Sequence, residues 1–493
     1  MQPTTQDDWP RWRQQGFKRL PAALVRQDES PPSSWEGFAD GPVSALLEST
    51  RGGRYTYLCD RPERVVLANT ASAEVRSADG LTRLGERAGS PLVVLAALLS
   101  EANAPTLPEW TTMAGGFIGV ASYDLVRTWE RLPAQATRDL PLPLLAMVET
   151  RELFVYDHEE RTLGIVIWRN VEAASPADLA AQYQEALQAA HDAWARWKAG
   201  GGRAAHRPER VLADPVSAPA DSFTAAGFQQ AVRHVQEYIA AGHTYQTNLS
   251  VRSSRVTRVP SETLYEAVRR VNPSPYMGLL RLPAFALVCG SPELLVRLVN
   301  GRIVSRPIAG TRPRDDDAAR DLNLSAELFA NEKERAEHLM LVDLIRNDIG
   351  RVAEWGTVAV REFMAVERYS HVMHLVSEVE GRLAPGKTWV DLLQSMFPGG
   401  TITGCPKLRT MEIIEELEPV GRGFYTGSLG WIGYGGNMEM NIVIRSMLVS
   451  GGVAHVQAGA GIVADSRPER EYAEATQKAR ALWVAWEMAA KNG

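Results

Sequence analysis

The stretch Tyr425-Thr-Gly-Ser-Leu-Gly-Trp-Ile-Gly-Tyr434 begins a run of strand-like segments that decides the fold. It is followed by a Gly435-Gly436-Asn437 turn, an alternating segment at residues 440–448, a Gly451-Gly452 turn and a last segment at residues 453–458. Apolar segments joined by short glycine turns are typical of antiparallel strands. We therefore predict an antiparallel meander here. Similar segments recur along the chain between helical ones, which indicates an α+β fold with large antiparallel β-sheets packed as a sandwich and helices outside.

Composition limits the classes of function that need to be considered. The 493 residues are 45% hydrophobic, which is enough for large cores, and the net charge of −6 argues against general nucleic-acid binding. Three distant cysteines and the lack of a signal-like N-terminus predict a cytoplasmic protein. Residues 199–221, rich in glycine, proline and alanine, have the composition of a linker. We expect an N-terminal region at 15–200 and a catalytic domain at 222–489.

Two pairs of glutamates have the same spacing. Glu334 and Glu337 open an apolar helical run, and Glu471 and Glu474 lie at the start of another. Residues three apart share a helix face, so each pair directs two carboxylates to one side. Two such faces, if opposed, would offer hard oxygen ligands to Mg²⁺. The alternative is a solvated helix start, where the helix dipole favours acids.

Other segments combine polar groups with backbone that a ligand can approach. Residues 306–314 join three arginines to Gly310, and Glu293 follows a small-residue turn. Cations and backbone amides at one point suit an anionic substrate. His374 lies in a strand-like segment and is either a general acid or base or a structural histidine. Arg445, in an apolar alternation, needs either a protein acid or a substrate carboxylate as partner.

Together these motifs resemble the chorismate-utilising enzymes, a family that includes anthranilate, aminodeoxychorismate, isochorismate and salicylate synthases. The motifs cover residues 225–485 almost without a gap. They are residues 307–313, 338–348, 370–377, 399–418 and 457–465, with a weaker N-terminal match at 46–49 and 53–55.

The resemblance implies a role for each matching position. The Mg²⁺ carboxylates are Glu337 and Glu474, with Glu334 and Glu471 as companions that act through water. The positions of catalytic groups are Glu293, His374, Gln246 and Thr401. The positions of chorismate contacts are Gly310, Thr311, Tyr425, Arg445, Gly459, Ala460, Gly461 and Lys407. The positions that match a tryptophan site, regulatory or structural in some members, are Glu48, Ser49, Pro275, Tyr276 and Met277.

Two positions bear on which reaction is expected. Gln246 stands where water-using members carry a lysine base, and a neutral amide there suits ammonia as the nucleophile. Other motif details resemble the aminodeoxychorismate branch, so we expect 4-amino-4-deoxychorismate, for 4-aminobenzoate and folate synthesis. Ala309, however, stands where many aminodeoxychorismate synthases carry a lysine and is usual in anthranilate synthases, so anthranilate synthesis is the alternative. A non-catalytic tryptophan-binding protein of this fold is a further alternative, against which the intact acid pairs argue.

The source of ammonia is expected to be a second protein. No cysteine of the chain lies in a Gly-x-Cys-x-Gly nucleophile elbow. Cys405, which precedes a proline, is a better candidate for a small packed residue than for a nucleophile. The resemblance therefore implies a separate glutamine amidotransferase subunit as partner.

Overall fold

The structure is a computed structural model that describes residues 1–38, 41–50, 52–107, 109–201, 221–315, 317–368 and 372–492; of residues 176, 177, 311, 318, 333, 372 and 492 it describes the backbone alone. The helices of the described residues are α1 (Asp8–Gln14), α2 (Pro91–Ala102), α3 (Pro176–Lys198), α4 (Ala225–Ala240), α5 (Ser261–Val271), α6 (Ala318–Ala330), α7 (Glu332–Gly350), α8 (Trp389–Met396), α9 (Lys407–Leu417) and α10 (Pro468–Asn492). Short 3₁₀ turns are Glu36–Phe38, Tyr123–Thr128 and Gly400–Ile402.

The strands of the described residues run antiparallel to their neighbours. They are β1 (Arg19–Arg26), β2 (Ser44–Glu48), β3 (Tyr55–Cys59), β4 (Pro62–Ala68), β5 (Ser72–Arg76), β6 (Arg83–Ala88), β7 (Gly116–Ala121), β8 (Leu145–Thr150), β9 (Glu152–Asp157), β10 (Thr162–Asn170), β11 (Gln246–Val256), β12 (Tyr276–Leu282), β13 (Phe285–Ser291), β14 (Leu294–Val299), β15 (Arg302–Arg306), β16 (Ile308–Pro313), β17 (Ala359–Arg368), β18 (Val372–Arg382), β19 (Gly404–Cys405), β20 (Ser428–Gly433), β21 (Met438–Asn441), β22 (Ser446–Ser450) and β23 (Val453–Ile462).

These strands form two large sheets. The first has the order β1-β10-β9-β3-β2-β12-β13-β22-β23-β11-β19, and the second has the order β16-β18-β15-β14-β21-β20-β7-β8-β4-β5-β6, with β17 paired to β18. The predicted α+β class with antiparallel sheets is confirmed. Each sheet contains strands from both expected regions, 15–200 and 222–489, so the two regions share their sheets.

Alternation of side chains along the strands places the cores. In β7, Ile118 and Val120 face the core between the two sheets, whereas Phe117 faces a second core on the other side, under α2 and α8. A third core lies outside the first sheet, where Phe228 of α4 packs against β11 and β23. Helices therefore cover the outer faces of the sandwich, as the sequence predicts.

The predicted meander is wrong at its centre. Residues 440–448 were expected to form one strand, but the chain leaves the second sheet after β21 and enters the first sheet at β22. The crossing includes Arg445, whose φ of 51° lies in the left-handed region. A non-glycine residue rarely adopts this conformation, so the apolar alternation contained no sign of the break.

Local signals were more reliable for the helices. The sequence Ser175-Pro176-Ala177-Asp178 is typical of a helix start, and Ser175 forms a capping box with Asp178, Pro176 begins α3 and the helix ends at Lys198, shortly before Gly200. Thr224 caps α4 through a bond from Gly227 N. The predicted linker lies mostly outside the described residues, which stop at 201 and resume at 221. None of the helices that the structure describes is long and apolar enough to cross a membrane.

Candidate active site

Two glycines of β23 open one face of the first sheet. β11 and β23 pair Asn248 with Gly461 and Ser250 with Gly459. A Cβ on Gly461 would lie 2.5 Å from Nε2 of Gln246, and one on Gly459 would lie 2.7 Å from Oδ1 of Asn248. Gly459 has no room for a side chain, because its Cβ would also clash with the carbonyl oxygen of Leu249, whereas a Cβ on Gly461 would displace the Gln246 amide. The two glycines leave the backbone of β23 bare on this side.

The carboxylates at the start of α7 border this glycine face. Asn331 caps the helix by accepting a hydrogen bond from Glu334 N, 3.0 Å away. Nε2 of Gln246 donates to Oε1 of Glu337 at 3.0 Å. Glu334 accepts a bond from Arg312 at 3.4 Å and would lie 3.0 Å from a Cβ on Gly310. Glu337 thus faces β11 and β23, whereas Glu334 faces β16.

The carboxylates of α10 reach the same strand from the other direction. Glu474 pairs with Lys478 at 2.7 Å, and Lys478 in turn donates to the carbonyl of Gly459 at 3.1 Å. Glu471 is buried, one turn earlier in the helix. The two predicted acidic pairs therefore belong to different helices that flank one end of β23.

A half-buried arginine lies at the crossing between the sheets. Burial lowers the pKa of Arg445, while Tyr425 and Glu474 oppose this shift. Within the described part of the chain, the Arg445 guanidinium makes no hydrogen bond or ion pair. A cation that is shielded from water and has no partner costs free energy unless an anion binds it. Arg445 is therefore well suited to a carboxylate of a ligand.

Glu293 and His374 have protonation states that suit acid–base chemistry. Glu293 is 6% exposed, and burial raises its pKa to about 7, an effect that the nearby Thr401 hydroxyl partly offsets. Nδ1 of His374 donates to the carbonyl of Gly310 at 2.9 Å. Burial lowers the pKa of His374 despite this bond. At neutral pH the glutamate can hold a proton, and the histidine is neutral with Nε2 as its acceptor atom.

For three of the residues expected to contact the substrate, the structure does not place a side chain at the glycine face. Nζ of Lys407 binds Oδ2 of Asp348 at 2.6 Å, and Asp348 follows Glu337 in α7 by about 16 Å along the helix. Lys407 thus fastens α9 to the far end of α7, and the structure does not bring it to the glycine face. The side chain of Ala460 packs in the core outside the first sheet, so its backbone alone can meet a ligand. The side chain of Thr311 lies outside the described residues, although its backbone belongs to β16.

A sequence model of the chorismate binding enzymes matches residues 44–483. The chain belongs to this family. It is similar to aminodeoxychorismate synthase component 1 of Bacillus subtilis, with 43% identity over 90% of this chain and 91% of the relative. It is also similar to anthranilate synthase component 1 of Thermus thermophilus, with 45% identity over 94% of this chain and 96% of the relative. The resemblance inferred from the motifs is confirmed, and the chain is a chorismate-utilising enzyme.

Solved structures of the family have the same architecture. Anthranilate synthase component I from Streptococcus pneumoniae superposes with a TM-score of 0.71 at 30% identity, over 88% of this chain and 93% of that one. The menaquinone-specific isochorismate synthase from Escherichia coli shares the fold, with a TM-score of 0.66 at 19% identity over 97% and 98% of the two chains. Family members named for different reactions thus share these two sheets.

The acidic pairs have the chemistry of a magnesium site in a chorismate-utilising enzyme. Carboxylate oxygens are hard ligands, and Mg²⁺ combines a few of them with ligand oxygens and water. No three acidic, histidine or cysteine side chains of the described residues lie close enough together to hold a metal by themselves. Glu337 lies beside Gly461, and Glu474 binds Lys478, which donates to the carbonyl of Gly459. The two glutamates fit a metal that is also held by substrate oxygens.

The expected effector residues line a single small cavity of about 30 Å³. Glu48 ends β2 and Ser49 follows it, while Pro275 precedes β12, which begins with Tyr276 and Met277 and pairs with β2. The carboxylate of Glu48 already has partners within the protein, because Tyr265 donates to it at 2.6 Å and Arg269 pairs with it at 2.8 Å. The Ser49 hydroxyl is buried and has no hydrogen-bond partner among the described residues.

Sequence reasoning missed two charged residues that support the site. Glu418 and Arg422 form an ion pair at 2.7 Å in which both side chains are almost completely buried. Charged residues are rarely buried in this way. The charged and glycine-rich segment after α9 would therefore be expected to expose its side chains. The one available signal was the position of Arg422 between Gly421 and Gly423, three residues before Tyr425.

Proposed function

We propose that this chain is the synthase subunit that converts chorismate and ammonia to 4-amino-4-deoxychorismate. The observation that supports amination, whichever product is formed, is the bond from the Gln246 amide to Glu337. A neutral amide cannot remove a proton from water, whereas ammonia is nucleophilic without activation. The position that serves a base in water-using relatives is therefore suited to amination.

Different charged groups would bind the two carboxylates of chorismate. Glu337 and Glu474 would hold Mg²⁺, which supplies positive charge to one carboxylate of chorismate when bound. Arg445 would bind the other carboxylate, which would relieve the cost of its burial. The bare backbone at Gly459 and Gly461 allows the ring to approach β23 closely.

Glu293 supplies the proton that the reaction needs. As ammonia attacks the ring, the C4 hydroxyl leaves as water with the proton of Glu293. The nitrogen then gives up one proton, which restores the charge balance. A carboxyl group with a pKa of about 7 holds its proton at neutral pH and gives it up readily. Neutral His374, oriented by Gly310, would face the enolpyruvyl group.

The partner in the proposed reaction is a glutamine amidotransferase. Both curated relatives are named component 1 of their synthases, which suits a chain that works beside a second component. Ammonium salts should replace glutamine for the isolated chain, because free ammonia can enter the site directly. Glutamine should support turnover only after the amidotransferase is added.

Anthranilate synthesis is the second candidate, and Ala309 is the observation that favours it. Ala309 is buried in β16 beside Gly310, and its methyl group cannot act as a nucleophile. Aminodeoxychorismate formation without a lysine at this position requires that ammonia reach C4 by itself. The Thermus relative, named for anthranilate synthesis, is as similar to this chain as the Bacillus one.

Product analysis distinguishes the two candidates. The purified chain would be incubated with chorismate, Mg²⁺ and ammonium at alkaline pH and the products separated by chromatography with fluorescence detection. We expect a product that becomes 4-aminobenzoate only after the corresponding lyase is added. Anthranilate released without the lyase would reject the first candidate and establish the second.

A further inference from the structure

All donors of the Arg422 guanidinium are engaged. Arg422 lies in the turn after α9 and is 4% exposed. A guanidinium has five N–H groups in a fixed fork, and five acceptors surround this one. They are both carboxylate oxygens of Glu418, the carbonyls of Ile402 and Asn248, and the Thr426 hydroxyl, at 2.7–3.3 Å.

Each neutral acceptor belongs to a segment of the active site. Ile402 follows Thr401 in the turn beside Glu293, and Asn248 lies two residues after Gln246 in β11. Thr426 follows Tyr425, whose ring lies 5.7 Å from the guanidinium carbon. The Arg422 side chain therefore connects the turn that contains Thr401, the first residues of β11 and the turn that contains Tyr425.

Glu418 extends the same network into the first sheet. Its Oε1 accepts bonds from the backbone N–H and the hydroxyl of Ser250, both at 2.8 Å. Ser250 pairs with Gly459 across the strands. Burial of an ion pair is costly unless every group is satisfied, so this pair specifies one arrangement of the segments around it.

We propose that Arg422 is a positioning residue for the aminating site, an inference that rests on the proposed function. Arg422 touches none of the reacting atoms and acts through Thr401, Gln246 and Tyr425. Lysine has the same charge but a single nitrogen with three donors, which cannot reach five acceptors in a plane. The Arg422→Lys variant should therefore keep the buried charge and lose the geometry.

A second arginine, Arg127, which is partly buried, provides a control. Arg127 binds Asp124 and Glu415 and donates to the carbonyls of Leu132 and Pro133. It resembles Arg422 in its partners, but it connects α9 to residues 123–133, which carry none of the predicted site residues. Arg127→Lys should lower stability without moving the site.

The test measures kcat and the KM for chorismate with ammonium, at a temperature where circular dichroism shows each variant folded. For Arg422→Lys we expect kcat/KM to fall about tenfold to a hundredfold, the effect of losing one or two buried hydrogen bonds. Arg127→Lys should stay within about twofold of the parent on both constants. Equal losses in the two variants, or no loss for Arg422→Lys, would overturn the proposal.

Two further measurements keep the test decisive. If Arg422→Lys does not fold, Thr426→Val removes one of the five acceptors, and an unchanged kcat/KM would reject the proposal. Hydrogen–deuterium exchange should show faster exchange at residues 246–250 and 399–405 in Arg422→Lys but not in Arg127→Lys. This readout does not require turnover, so a parent chain that fails to aminate chorismate rejects the proposed function and leaves the positioning role to be judged by exchange.

Discussion

The side-chain amide of Gln246 donates a hydrogen bond of 3.0 Å to Oε1 of Glu337, and this bond joins β11 to the first turns of α7. Glu337 is the carboxylate that faces the bare backbone of β23, beside Gly461. The bond therefore orients the group that we expect to bind Mg²⁺, and it places an uncharged donor where a base would otherwise stand.

A lysine in place of Gln246 should compete with the metal. The ammonium of Gln246→Lys would pair directly with Glu337, so we expect the Mg²⁺ concentration for half-maximal activity to rise about tenfold. The adjacent residue Tyr245 is exposed, and Tyr245→Lys adds the same charge in solvent as a control. An equal rise in both variants would show that net charge, not the contact with Glu337, sets metal affinity.

Removal of the Glu337 charge should abolish turnover. In Glu337→Gln, we expect chorismate consumption to fall by at least about a hundredfold, because a neutral amide is a poor Mg²⁺ ligand. Far-UV circular dichroism should be unchanged. Glu332→Gln alters an exposed acid in the first turn of the same helix and should retain activity. Full activity of Glu337→Gln would remove the metal assignment.

The buried carboxyl of Glu293 should make stability depend on pH. Its folded pKa of about 7 lies above the ordinary value of 4.5, so the folded state binds more protons than the unfolded state between these pH values. The free energy of unfolding should therefore fall as pH rises from about 4.5 to 7, by on the order of 2–3 kcal/mol. Glu293→Gln should remove this dependence, be more stable than the parent at pH 8 and lack activity. Parallel stability profiles of parent and variant between these pH values would contradict the pKa shift.

The cavity between β2 and β12 should widen to bind tryptophan, because its volume of about 30 Å³ holds only about one water molecule. Its wall combines the buried hydroxyl of Ser49 with Tyr57, Met277 and Trp431, a setting for an aromatic amino acid. We expect L-tryptophan at millimolar concentration to raise the thermal midpoint by a few degrees. D-tryptophan serves as the stereochemical control. If neither isomer shifts the midpoint, this chain has not kept the tryptophan site that its motifs predict.

Helix boundaries and most strands could be predicted because their signals are local. Ser175 and Lys198 bracket α3, since capping and glycine stops act within a few residues. The crossing at Arg445 could not be predicted in this way. Its left-handed conformation is imposed by two sheets that meet there, and the apolar alternation of residues 440–448 continues through it.

The site was predicted mainly through the resemblance, residue by residue. Spacing alone indicated two acidic pairs, but it could not show that Glu337 and Glu474 flank the same strand. The resemblance implies a chorismate contact for Lys407, and the sequence carries no sign that Asp348 binds this lysine. Arg422 was missed because burial of its charge depends on acceptors from distant segments.

The dependence of chorismate consumption on ammonium tests whether this chain uses ammonia rather than water as its nucleophile. The purified chain with Mg²⁺ would be supplied with chorismate in the presence and absence of ammonium, and the loss of chorismate followed by absorbance. We expect chorismate to be consumed only when ammonium is present, because Gln246 cannot activate water. Consumption at the same rate without ammonium, with a hydroxylated product, would contradict this expectation.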